Sequence, residues 1–242
     1  MKVSLFIPCL TDQFFPESGM NMVKVLRRVG VDVEYRSDQT CCGQPAFNSG
    51  YHEEARALAE RFIDLFSDAE YIVAPSGSCT SMVKIFYGDL LSLSPSHEKR
   101  AREMRSRTFE FTEFLVDVLK IEDVGAVFPA RISFHDACHG LRELRIKSQP
   151  RRLLSNVKGL ELIEMPNAEV CCGFGGTFSV KHANISSAMA EEKIDSILAM
   201  PIDHVVSIDS SCLMQIQGML SRKGSRITTR HIADVLAGSG HG

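Results

Sequence analysis

Short runs of β-branched and apolar residues alternate along the chain with stretches in which apolar side chains recur every three or four positions. Lys2-Val3-Ser4-Leu5-Phe6-Ile7-Pro8, Tyr71-Ile72-Val73-Ala74, Arg131-Ile132-Ser133-Phe134 and His204-Val205-Val206-Ser207 have the length and composition of buried strands. Val31-Asp32-Val33-Glu34-Tyr35 and Leu160-Glu161-Leu162-Ile163 are further strand candidates. Between them, Met20, Val23, Leu26 and Val29 fall at helical spacing, as do Ala55, Leu58, Ala59, Phe62, Leu65 and Phe66, and then Met189, Ile194, Ile197 and Leu198. Strands alternating with helices predict βαβ units and parallel sheets. The expected fold class is α/β, with two pseudo-symmetric lobes over residues 1–125 and 126–242, each a small parallel sheet flanked by helices. The polar stretch Pro95 to Glu103 predicts a solvated helix near the lobe junction, with the amphipathic segment Phe109 to Leu119 behind it.

The two halves are copies. Cysteines stand at Cys9, Cys41, Cys42 and Cys79, then at Cys138, Cys171, Cys172 and Cys212. Each half reads Cys, Cys-Cys-Gly, Cys; the first gap is 31 residues in one half and 32 in the other, the second 36 and 39. All eight cysteines are used. The flanks repeat as well: the run ending in Cys9 matches the run ending in Cys138, and 71–79 matches 204–212. The first and last cysteine of each half follow a strand-like run, and the Cys-Cys-Gly follows another. Ligands of open α/β sheets gather at the carboxyl ends of the strands, so this placement delivers four thiols to one edge of each lobe.

Composition narrows the chemistry. The 242 residues are 44% hydrophobic and 24% charged, ordinary for a globular protein able to bury a core without disulfides. With 27 Lys+Arg against 30 Asp+Glu the net charge is -3, which argues against a nucleic-acid partner, and the absence of Trp removes a stacking platform. No apolar run approaches the ~20 residues of a membrane span, and the first residues lack a secretory cleavage pattern. A cytoplasmic location is expected. In a reducing compartment, eight cysteines point to metal binding or redox chemistry rather than to structural disulfides.

Four thiolates suffice for one iron–sulfur cluster per half, and thiolate also suits zinc or Cu(I). The short C-x₂₋₄-C knuckles of structural zinc sites are missing. Zinc remains the alternative cofactor, and a metal-free dithiol pair at Cys41-Cys42 or Cys171-Cys172 ranks last because a vicinal disulfide is strained. His135, Asp136 and His139 surround Cys138, so His135 and His139 are candidate ligands, proton carriers or bases. His182 follows Gly173-Phe174-Gly175-Gly176 and marks a helix start; that glycine run lacks the full dinucleotide fingerprint and reads as loop packing beside the cysteines. Arg142, Arg145, Lys147, Arg151 and Arg152 offer cations to a carboxylate substrate, or a solvated basic face. Met214 and Met219 read as core.

Cys9…Cys41-Cys42-Gly43…Cys79 and Cys138…Cys171-Cys172-Gly173…Cys212 resemble the tandem CCG cysteine-rich domain found in heterodisulfide reductase and in the iron–sulfur component of glycolate oxidase. With Pro75-Ser76-Gly77-Ser78-Cys79, Cys171 to Phe178 and Asp209-Ser210-Ser211-Cys212, the chain is most similar to the lactate-utilisation protein A group of that family. The resemblance implies an iron–sulfur, electron-transfer subunit of a system oxidising L-lactate to pyruvate. It implies two partners, a larger subunit with ferredoxin-type clusters and a third small subunit, and up to one [4Fe–4S] cluster per lobe on the eight cysteines. The fuller family pattern ends in C-x-x-C, whereas the first of those positions is Ser76 in one half and Asp209 in the other. Four thiols rather than five leave an ordinary cluster, with Ser76 or Asp209 as a candidate oxygen ligand, and the disulfide-reducing chemistry is not carried over. In an electron-transfer subunit no general base is needed; in a catalytic one, a small 2-hydroxy acid would bind an open metal site with His135 or His139 as base.

Overall fold

The computed structural model describes residues 1–92 and 94–238; residues 239–242 of the second expected lobe lie outside them. Two four-stranded sheets form the frame. The first contains β1 (Lys2–Leu5), β2 (Asp32–Tyr35), β3 (Tyr71–Ala74) and β4 (Thr108–Glu110), in the order β2-β1-β3-β4. The second contains β5 (Arg131–Phe134), β6 (Glu161–Leu162), β7 (His204–Ser207) and β8 (Thr228–His231), in the order β6-β5-β7-β8. Every pairing is parallel, with Leu5 opposite Tyr35 and Val73, and Phe134 opposite Val206. The central strands are buried on both faces, Val3 to Leu5 and Ile132 to Phe134 throughout, which is why they read as continuous rather than alternating runs. In each sheet the strand order turns back between the first and third strands, the place where a crevice opens at the carboxyl ends.

The outer strands β4 and β8 have no apolar signature, being Thr-Phe-Glu and Thr-Thr-Arg-His, and only the sheet defines them. Each ends on a capping residue. Glu110 accepts from the backbone N–H of Thr112 (2.8 Å) and Glu113 (3.2 Å), while Glu113 accepts the N–H of Glu110 (3.2 Å). His231 Nδ1 accepts the N–H of Ala233 at 3.1 Å, so Nε2 carries the proton and donates it to Pro75 O at 3.1 Å, reaching the first sheet. The expected amphipathic segment 109–119 is therefore a strand followed by the short helix Phe111–Glu113 and a wider helical turn, Phe114–Val118. The solvated helix runs over Pro95–Arg105.

The halves interlock. The last helix, Ile232–Ala237, packs on Pro16–Arg28 of the first half. Asp234 accepts from Ser18 (3.1 Å) and Asn21 (3.0 Å), and Arg28 donates to Leu236 O (3.0 Å) and Ala237 O (2.7 Å). Met20, though at helical spacing with Val23, Leu26 and Val29, is exposed, and the buried side of Pro16–Arg28 is Ser18, Gly19, Met22, Val25 and Leu26, with Gly19 against Ile7. Leu198 is likewise exposed, at the end of the helix Ala183–Leu198. One apolar core runs from Val3 and Leu5 through Phe111 and Phe114 to Ile132, Phe134 and Leu236, and a second, around Phe6, Phe62, Phe66 and Tyr87, fills the outer side of the first half.

Between the sheets, Gly77 and Gly140 meet backbone to backbone. A methyl on Gly77 would stand 3.0 Å from Gly140 Cα and 3.2 Å from its nitrogen. Gly77→Ala is expected to lower stability by ~1–3 kcal/mol in urea unfolding, whereas Gly88→Ala, which meets nothing within 4 Å, leaves it unchanged or raised. Burial also pushes the Glu110 carboxyl from 4.5 up to about 8, against the hydrogen bonds that would favour its ionised form. Its folded value lies above its unfolded one, so its contribution to stability is full below pH 4.5 and is lost as pH rises to about 8. Glu110→Gln should flatten that part of the stability-against-pH curve and be the more stable protein above pH 8.

Candidate metal centre

The strands place the thiols. Cys9 opens the helix Cys9–Phe14 after β1, Cys41 and Cys42 lie in the loop after β2, and Cys79 sits in Gly77–Ser81 after β3. The second half repeats this: Cys138 opens Cys138–Arg142 after β5, Cys171 and Cys172 follow β6, and Cys212 lies in the first turn of Ser210–Arg222 after β7. All eight line one cavity of about 380 Å³. The quartets thus face each other across a shared space where the two sheets meet.

Within each half the sulfurs form a chain of contacts in the order Cys9, Cys41, Cys42, Cys79 and Cys138, Cys171, Cys172, Cys212. Cys42 and Cys79 are 3.3 Å apart. None of the eight is in a disulfide. The glycine of each Cys-Cys-Gly donates its N–H to the first sulfur of the pair, Gly43 to Cys41 and Gly173 to Cys171, both at 3.4 Å. Both glycines have φ of +84°, and a Cβ there would stand 3.2 Å from Ala55 O or 2.5 Å from Ser186 O, so only glycine fits the turn. Tyr87 Oη donates to Cys42 O (3.0 Å) and Ser186 Oγ to Gly173 O (2.7 Å), fixing each loop from behind.

In each quartet the first sulfur of the Cys-Cys pair is held as the more acidic thiol of that pair. Hydrogen bonds from Cys42 and then Cys9 hold Cys41 down at about 3, and bonds from Cys138 and then Cys172 hold Cys171 at about 2. The donating thiols Cys9, Cys42, Cys138 and Cys172 are pushed up by the same contacts and by burial. A half-buried thiolate beside sealed thiols predicts an order of reaction. In metal-free reduced protein at pH 7, iodoacetamide followed by mass spectrometry should modify Cys41 and Cys171 before Cys42 and Cys172.

The oxygens at the positions that break C-x-x-C are already engaged. Asp209 accepts from Ser78 N (2.7 Å), Ser78 Oγ (3.1 Å), Ser76 Oγ (3.3 Å) and Ser211 Oγ (3.0 Å), and Ser76 and Asp209 pair as an isolated antiparallel bridge. They staple the halves together at the cavity wall. Thr11 with Ser210 (3.2 Å) and Ser49 with Thr177 (2.8 Å) add further cross-links.

The two candidate histidines separate. His139 lines the cavity, its Nδ1 3.2 Å from Glu143 Oε2 but misaligned for a hydrogen bond. His135 is sealed, with neither ring nitrogen in a well-aligned hydrogen bond, and a ring nitrogen lies within 4.8 Å of the sulfurs of Cys172 and Cys212. Burial holds its pKa down at about 3, with the Lys193 charge adding to the effect. Lys193 has no distinguishing sequence context. It lies on the buried side of Ala183–Leu198, donates to the carbonyls of Asn167 and Ala168, and is pulled down to about 8 by burial. The basic residues after Cys138 are largely engaged elsewhere: Arg151 on Asp136 (2.8 and 2.9 Å) and Glu164, Lys147 on Glu169, and Arg152 on Glu122. His182 is the N-cap residue of Ala183–Leu198, without a side-chain hydrogen bond to it, Met219 is core, and Met214 is half-buried.

A model of the cysteine-rich CCG domain matches residues 3–84 and again 132–217. The chain belongs to the CCG family. Its CCG repeats have full-length relatives: it is 49% identical over 240 residues to "Lactate utilization protein A" of Geobacillus kaustophilus (strain HTA426), and 50% identical over 236 residues to the protein of that name from Shouchella clausii (strain KSM-K16). Each alignment covers 98% of both chains. Among solved structures, a hypothetical protein from Helicobacter pylori shares the fold with a TM-score of 0.63 at 11% identity, over 97% of this chain and 48% of that one. The donors of the CCG repeats fit a thiophilic metal: four convergent sulfurs in each, and in the second an unpartnered buried imidazole beside them. Among the described residues, no helix is long and apolar enough to cross a membrane.

Proposed function

We propose that this chain is the iron–sulfur subunit of a cytoplasmic assembly that oxidises L-lactate to pyruvate. Cys9, Cys41, Cys42 and Cys79 would hold one [4Fe–4S] cluster, and Cys138, Cys171, Cys172 and Cys212 another. Such clusters supply one-electron transfer. The convergence of both quartets on one cavity carries the reading, because centres bound there would share one protein wall. The names of the full-length relatives support the metabolic setting.

The chain's own groups would set the properties of those centres. Gly43 and Gly173 N–H groups aimed at sulfur stabilise added negative charge. The buried Cys42 and Cys172 keep water from the inner side of each quartet. No lysine or arginine is among the described residues lining the cavity, so a 2-hydroxy acid carboxylate would find no guanidinium or ammonium partner there. That supports a relay role, with lactate oxidised on a partner and electrons received from it. The proposed partners are a ferredoxin-type subunit and a third small subunit.

Anaerobic purification with metal and sulfide analysis tests the reading. Iron and acid-labile sulfide should be present together, and Cys42→Ala and Cys172→Ala should each remove the share of one repeat. Lactate-dependent reduction of an acceptor should need this chain together with its partners and should be absent from the chain alone. Zinc bound without sulfide would replace the proposal with a structural-metal role.

A further inference from the structure

The repeats match in backbone but not in what stands behind the sulfurs. Phe6 and His135 occupy the same place: each follows the first strand of its sheet, and each N–H bonds the third strand, Phe6 to Val73 O (3.0 Å) and His135 to Val206 O (2.8 Å). Phe62 and Lys193 correspond too, each seven residues beyond the carbonyl that closes on its Cys-Cys-Gly glycine, Ala55 in one half and Ser186 in the other. In the first half Phe6 and Phe62 pack edge to face with ring centres 4.8 Å apart, an apolar backing. In the second half the same two positions hold an imidazole and an ammonium.

A buried imidazole without partners costs free energy unless something meets its nitrogens. Neither nitrogen of His135 makes a well-aligned hydrogen bond, although the Ala168 backbone lies near the ring; one nitrogen, Cys172 Sγ and Cys212 Sγ lie within 4.8 Å of one another, all three residues buried. That is one nitrogen and two sulfur donors around a point that a single metal ion would fill. Lys193, its ammonium held by Asn167 O and Ala168 O, sits close enough for its charge to be felt at His135 and offsets the negative charge of thiolate ligands.

We propose that the two quartets hold non-equivalent metal centres, the first ligated by sulfur alone and the second with His135 as a nitrogen ligand. This rests on the reading that the quartets bind metal, and its test separates the two claims. The full chain is loaded anaerobically with Fe²⁺ and sulfide, or with Zn²⁺ alone, and its metals are located by anomalous diffraction. A His135 nitrogen should lie at bonding distance, ~2.0–2.1 Å, from a metal in the second quartet, with Phe6 making no such contact in the first. His135→Phe, which installs the residue the first half tolerates at that place, should weaken one of the two centres by at least ~10-fold in chelator competition and spare the other. A second-quartet metal bound by sulfur alone, or a His135→Phe protein indistinguishable from wild type in chelator competition, overturns the inference and leaves metal binding standing. A chain that takes up no metal overturns both.

Discussion

Asp209 fixes how the two sheets face each other. It sits at the start of Ser210–Arg222, where an N-terminal carboxylate is electrostatically favoured, yet it reaches across to the backbone and hydroxyl of Ser78 in the other repeat. Next to it, Gly77 and Gly140 approach backbone to backbone, with the Ile208 side chain packed against both. These contacts bring the carboxyl ends of both sheets together at the places where their strand order turns back. A parallel sheet in isolation offers a crevice; two held edge to edge enclose a cavity. Eight sulfurs share that space because this junction is tight, and a bulkier residue in it would separate the quartets before touching any cysteine.

The position of Asp209 also explains why a chain of this family can do without a second thiol there. A sulfur would have to choose between metal and interface. A carboxylate with four hydrogen-bond donors around it is committed to the interface, and Ser76 opposite is too small and too engaged to reach elsewhere. Each quartet is left with four thiols, and the wall between the repeats is polar, directional and fixed.

Much of this is legible in the sequence. The repeat of Cys9, Cys41, Cys42 and Cys79 at 138, 171, 172 and 212 announces two similar α/β units, and strand-like runs before the cysteines place the thiols at strand ends. Less visible are features made by tertiary context. The outer strands β4 and β8 are polar edge segments whose pairing, not composition, makes them strands. Met20 shares helical spacing with Val23, Leu26 and Val29 but is exposed, because the helix turns Ser18 inward to bond Asp234 of Ile232–Ala237. Asp209 reads as a possible ligand because its partner, Ser78, is 131 residues away. Lys193 escapes notice because a lysine in a helix is ordinarily solvated, and only the two carbonyls at its tip make burial tolerable.

Duplication gave the halves the same frame, and the differences between them are therefore informative. Replacing an edge-to-face aromatic pair by an imidazole and an ammonium, both buried, is unfavourable as packing: it exchanges apolar contact for polar groups that must each find a partner. Lys193 finds two carbonyls, whereas His135 makes no well-aligned hydrogen bond within the protein. The folded chain therefore keeps an uncompensated desolvation cost at one site, in the repeat where the thiols are backed by polar groups, and not at its counterpart. A group that makes contact with that imidazole would relieve the cost only in the second repeat. Affinity would then differ between two quartets whose cysteine spacing is nearly the same, and the difference would come from residues that lie behind the sulfurs.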